Sequence, residues 1–160
     1  MINKNLFLIS IILFAIFSRF IPHPPNFTPI TAIALIAGKG FTNRWIIYVI
    51  PLISLFISDL FLGFHDTIPF VYGAFILITL LGKMAKKITL GTVLMSSAIF
   101  FLISNFGVWF YNYPITLDGL ISCFTLAIPF FINTILGDLF YSAIMIYPYY
   151  ALQKNNLISV

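Results

Sequence analysis

Only four carboxylates occur in this 160-residue chain, all of them aspartate. Arg19 and Asp59 lie inside otherwise apolar runs, where an ionisable group is costly and turns to the protein interior or a wet cavity. The two read either as a structural feature, an ion pair or Arg19 reaching toward headgroups, or as the charged wall of an outward-facing pocket. Asp138 follows Gly137 in a later apolar run. It reads either as a partner for the positive end of a helix dipole or as a ligand contact. Asn105 and Trp109 stand four apart, on one helical face, with Asn112 a turn further on. An amide and an indole N–H on one apolar face can orient a small guest. Equally, Asn105 can bond helix to helix while Trp109 anchors an interface. His23, His65 and Asp66 have no metal-ligand spacing, so no metal site is expected. There is no phosphate-binding glycine loop, no nucleophile elbow and no carboxylate pair at helical spacing. Neither a catalytic residue nor a cofactor is expected, and an enzyme is not.

The residues around these groups set the class. Hydrophobic types make up 61% and charged types 8%, where a soluble protein carries about a quarter charged residues. The composition predicts one integral membrane domain over residues 1–160, excluding a cytosolic enzyme, a disulfide-rich secreted domain and a nucleic-acid binder with a dense basic face. The single cysteine, Cys123, closes no internal disulfide and reads as a small packing hydrophobe.

Apolar runs at residues 5–21, 28–41, 44–62, 68–81, 88–110 and 134–152 predict six transmembrane helices. Prolines at 22, 24, 25 and 29 interrupt the first two, with Thr28 as a hydroxyl cap and Pro29 at the first helical position. Residues 117–127 predict a short helix, and Pro129 with Asn133 a turn over 128–133, together a re-entrant or lid segment before the last span. With both termini cytoplasmic, Lys4, Lys39, Arg44, Lys83, Lys86, Lys87 and Lys154 fall inside, and the outer segments 22–27, 63–69 and 111–133 hold no Lys or Arg. That is the positive-inside pattern, so the net charge of +4 reports topology.

Several segments resemble the biotin-type substrate-binding subunits (S components) of energy-coupling-factor transporters. Asn26-Phe27-Thr28-Pro29 leading into a helix that ends Ala37-Gly38 is similar to their outer loop and short second helix. Ser58-Asp59-Leu60-Phe61-Leu62-Gly63 resembles the end of their third helix, and Tyr72-Gly73-Ala74-Phe75 their fourth. Pro129-Phe130 through Gly137-Asp138-Leu139 resembles the stretch before their sixth. Together with Ser104 to Trp109, these motifs look more closely like a family of small bacterial inner-membrane proteins of unknown function regarded only as transport proteins. The lysine that follows Gly-Asp-Leu in the biotin-type subunits is absent here, where Phe140 and Tyr141 stand. The first helix has Arg19 where their Ala-x-x-x-Ala strip, which docks the coupling subunit, would place its second alanine; Ala34 and Gly38 give a small-residue face on the second helix instead.

The resemblance implies an uptake receptor that takes a small metabolite or vitamin-like ligand from the outer face, and aromatic walls with few polar groups suit one that is planar and mostly uncharged. A coupling subunit and ATPase subunits, or an ion gradient, would supply energy. The expected roof is residues 22–28 with Asn26, 63–69 and 111–133. Expected walls are Tyr72, Asn105, Trp109, Asn133 and Asp138, with Arg19 and Asp59 near the mouth. The other reading is a non-transport membrane scaffold whose outer loops bind a protein.

Overall fold

A computed structural model describes residues 4–154, all of whose regular structure is helical: α1 (Lys4–Ser18), α2 (Ile30–Gly40), α3 (Ile46–Leu62), α4 (Ile68–Met84), α5 (Leu90–Asn112), α6 (Leu117–Leu126) and α7 (Ile128–Lys154). Among the described residues, α5 and α7 are long and apolar enough to cross a membrane.

The organising element is α2. Its sequence, Ile-Thr-Ala-Ile-Ala-Leu-Ile-Ala-Gly-Lys-Gly, has no polar face, and every residue except Lys39 is buried. A helix apolar all round must be enclosed by others, and α2 packs against α4, α3, α7, α5 and α1. Its 11 residues span about 16 Å, and its enclosure explains how so short an apolar run is stable. Small residues allow close approach: a Cβ on Gly82 would lie 2.6 Å from the Leu35 carbonyl oxygen, and one on Gly38 would collide with the Thr79 carbonyl. The small-residue strip of α2 is therefore internal, with Ala34 and Gly38 fully buried, and offers no face to an outside partner.

Polarity is arranged inside out. Ser54, Ser58, Asp59, Thr79, Ser96, Ser97, Thr134 and Asp138 are buried, whereas Phe17, Phe56, Phe61, Met95, Leu102 and Phe140 are exposed. Most of the inward hydroxyls donate to a carbonyl one turn back, as Ser54 does to Ile50 and Thr79 to Phe75. Such bonds let a polar side chain sit in an apolar helix without an unsatisfied donor.

The ends differ in charge. Where α2 and α4 finish, the Lys39 ammonium donates to the Ala85 carbonyl (2.9 Å), and the Ile88 N–H donates to the Tyr150 hydroxyl at the end of α7. Lys87 lies over the Tyr150 ring there. The opposite end carries Arg19, His23 and His65.

Three local expectations are corrected. Residues 128–133 are not a turn but the first turns of α7, which runs on unbroken for 27 residues. Pro129 is the second residue of that helix, where its missing N–H has no intrahelical partner to lose. Only Ala127 separates α6 from α7. Thr28 does not cap α2: the cap position is Pro29, without a side-chain bond. Finally, α1 ends at Ser18, and Arg19 lies in the turn beyond it.

Candidate functional site

A cavity of about 450 Å³ opens at the end opposite the lysines, a size typical of small-ligand sites, roughly 300–1,000 Å³. Its mouth is formed by the 19–29 and 63–67 connections and by Tyr113. The first is shaped by Asn26, the one non-glycine residue with positive φ (65°) among those described, a conformation asparagine tolerates better than most. The turn is closed by Phe27 N–H to the Pro24 carbonyl and Thr28 N–H to the Asn26 carbonyl. Phe27 then lies on α7: a Cβ on Gly137 would meet its Cα at 2.8 Å, and its ring packs on Phe140 and Tyr141. At the second connection, Gly63 (φ 100°) ends α3 in a conformation that glycine alone adopts freely.

The base of the cavity is polar on one side and aromatic on the other. Asp138 is 2% exposed. The Ser97 hydroxyl donates to its Oδ2 at 2.6 Å, and the Thr31 hydroxyl is also turned to it. The Phe75 and Phe100 rings, 5.3 Å apart, form the facing wall. Asn105 and Ser104 line the cavity above them. The Ser104 hydroxyl proton is used, donating to the Phe100 carbonyl, and one of the two N–H groups of Asn105 Nδ2 donates to the Phe101 carbonyl.

A charged triad stands beside the mouth. Arg19 Nη2 lies 2.7 Å from Asp59 Oδ1, and the Tyr72 hydroxyl donates to Asp59 Oδ2 at 2.8 Å. Both carboxylate oxygens are therefore satisfied, as burial of a charge requires, and Asp59 is 2% exposed. The triad ties the turn after α1 to α3 and α4. Arg19 reaches the cavity lining, while Asp59 and Tyr72 stand behind it.

The sequence-expected residues thus divide. Arg19, Asn26, Asn105 and Asp138 meet at one cavity; Asp59, Tyr72, Trp109 and Asn133 are not among its lining. Trp109 turns instead to the α5–α6 connection, where its Nε1 donates to the Pro114 carbonyl at 3.1 Å. Asn112 donates to the Val108 carbonyl. Asn133 is half-buried in the second turn of α7. Asp138 is the eleventh residue of α7, too far from the N-terminus to serve its dipole, whose influence fades within the first turn. Sequence reasoning missed Thr31, Ser97, Phe75 and Phe100. Ser97 is 41 positions from the carboxylate it serves, and no local spacing marks such a pair. Among the described residues no group of His, Cys, Asp or Glu is placed to hold a metal.

Among the described residues the architecture is all-helical, with two helices long and apolar enough to cross a membrane and a cavity that ends in a buried carboxylate. The chain belongs to the Family of unknown function (DUF6580), whose profile matches residues 1–159. No curated protein and no solved structure matches it.

Proposed function

We propose that the chain is a multi-pass membrane receptor that captures a small metabolite from the outer face for uptake, as an S-component-like substrate-binding subunit. The carrying observation is the cavity, whose base holds the buried carboxylate of Asp138 facing aromatic rings. In this reading α1 to α5 and α7 cross the bilayer with both termini cytoplasmic, and α6 lies at the outer side. The outward apolar and inward polar side chains support it, because a soluble surface carries charge where this one carries Phe, Leu and Ile. The segregation of lysines to the end away from the mouth supports the orientation.

The α2 helix carries no lipid-matching requirement, being shielded by its neighbours. No nucleotide-binding motif accompanies the cavity, so inward release draws on a partner such as a coupling subunit with ATPase subunits, or on an ion gradient. Any coupling subunit must dock on an exposed helical face and not on the buried Ala34–Gly38 strip.

Side-specific labelling tests the orientation. In a Cys123→Ala background, the His65→Cys variant reports the mouth and the Lys86→Cys variant the basic end; both positions are exposed. A membrane-impermeant maleimide applied to intact cells is expected to modify the first and to reach the second only after permeabilisation. Labelling of both alike, or of the second alone, would overturn the outward-opening reading.

A further inference from the structure

We infer that the cavity selects a planar ligand carrying a protonated nitrogen, an amidinium or aminoheterocyclic cation, which binds against Asp138. The inference rests on the receptor reading and narrows its ligand to one chemical class, in place of the mostly uncharged ring expected from the sequence.

Two sets of observations carry it. The first is the direction of the hydrogen bonds. Ser104 and Thr134 donate their single hydroxyl protons to helix carbonyls one turn back, and Asn105 Nδ2 commits one of its two N–H groups in the same way. The two hydroxyls therefore leave acceptor oxygen facing the cavity, and Asn105 offers its Oδ1 beside one remaining N–H. His23 does the same at the rim, because its Nδ1 bonds the Pro24 carbonyl and must carry the proton, leaving Nε2 as an acceptor in the neutral ring. These acceptor oxygens are complemented by a ligand rich in N–H donors. A carboxylate or phosphate placed against Asp138, away from Arg19 at the mouth, would face these oxygens and a like charge, at the desolvation cost that makes such sites reject the wrong isostere.

The second is charge. The Arg19 cation is neutralised by Asp59, at 2.7 Å. Asp138 receives hydroxyls only, and no Lys, Arg or His among the described residues pairs with it. The base of the cavity therefore holds one carboxyl group without a counter-cation, and a cation bound against it would supply the partner that a buried carboxylate requires. The Phe75 and Phe100 rings also line the cavity, and an aromatic ring attracts a cation placed over its face. Ring stacking and a carboxylate at one end together match a flat cation better than a flexible alkylamine.

Benzamidine, benzamide and benzoate share one planar shape and carry charges of opposite sign or none. The wild-type chain in lipid nanodiscs, equilibrated with each compound and read by mass spectrometry of what it retains, is expected to hold benzamidine about tenfold or more above benzamide, a single ion-pair's worth of discrimination. Benzoate is expected at the level of empty nanodiscs. Asp138→Asn is expected to bring benzamidine down to the benzamide level while benzamide itself is unchanged, which also shows that the variant keeps its cavity. Should that variant fail to fold, the wild-type ranking decides alone. Benzamide or benzoate retained as well as benzamidine would overturn the cation class and leave the receptor standing. Retention of none of the three would also overturn it, whereas the receptor itself falls if no small molecule accompanies the chain from its native membrane.

Discussion

Replacing Gly38 by alanine is expected to destabilise the fold by at least about 3 kcal/mol, the upper end for inserting a methyl group into a packed interior. The new Cβ would collide with the Thr79 carbonyl oxygen and stand 2.8 Å from the Lys83 nitrogen. Both are backbone atoms of α4, so no rotamer change can relieve the contact, and α2 would have to move away from α4 along with everything packed round it. The same argument covers Gly82, which faces the Leu35 backbone. Gly73, also in α4, has nothing within 4 Å of a Cβ; there alanine is expected to be neutral or to stabilise by roughly 0.5–1 kcal/mol through helix propensity. Thermal unfolding of the three variants in one detergent checks this. A Gly38→Ala variant as stable as Gly73→Ala would show that α2 and α4 are not in contact as described.

Arg19→Met is expected to cost about 3 kcal/mol, the lower end of the range for breaking a buried ion pair because the Arg19 side chain keeps partial exposure. The loss comes from what remains: Asp59 is 2% exposed, and without the guanidinium only the Tyr72 hydroxyl supports its charge. Removing both charges, in Arg19→Met with Asp59→Leu, is expected to recover most of that loss, since a buried pair replaced by apolar groups of similar size is often neutral. The double variant also separates the two readings of the pair. Full stability with unchanged ligand retention makes the triad a structural tie between α1, α3 and α4, whereas full stability with lost retention makes Arg19 part of the binding wall.

Much of the helical frame could be read from the chain. The expected runs 44–62, 68–81 and 88–110 fall within three residues of α3, α4 and α5, because Gly63, Pro69 and the Lys86-Lys87 pair punctuate them clearly. Pro129 misled, because it stands in the first turn of α7 and not in a turn before it, whereas the expected spans 44–62 and 134–152 run through Pro51 and Pro148, which α3 and α7 accommodate. For the site, alternation of direction placed Arg19 and Asp59 at one depth. Direction along the chain says nothing of azimuth, however, so it does not separate Tyr72, which serves Asp59, from the residues that line the cavity. Trp109 shares a helical stripe with Asn105 but lies a full turn further out, where the chain reverses at Pro114 and takes its indole N–H. The Ser97–Asp138 bond joins α5 to α7 and depends on helix packing that no local pattern encodes.

Occupancy of the cavity is the claim on which the functional account depends. The most direct measurement is native mass spectrometry of the affinity-tagged chain taken from its own membranes, with solvent extraction of what is bound, beside a Ser104→Phe variant that fills the cavity from its wall. The account predicts one small molecule at near-stoichiometric amount on the wild type, lost from a Ser104→Phe protein that still unfolds cooperatively. A wild-type chain that carries no small molecule, or a variant that retains the same one, would contradict it, and a reproducible protein partner from the envelope in place of a ligand would make the chain a scaffold.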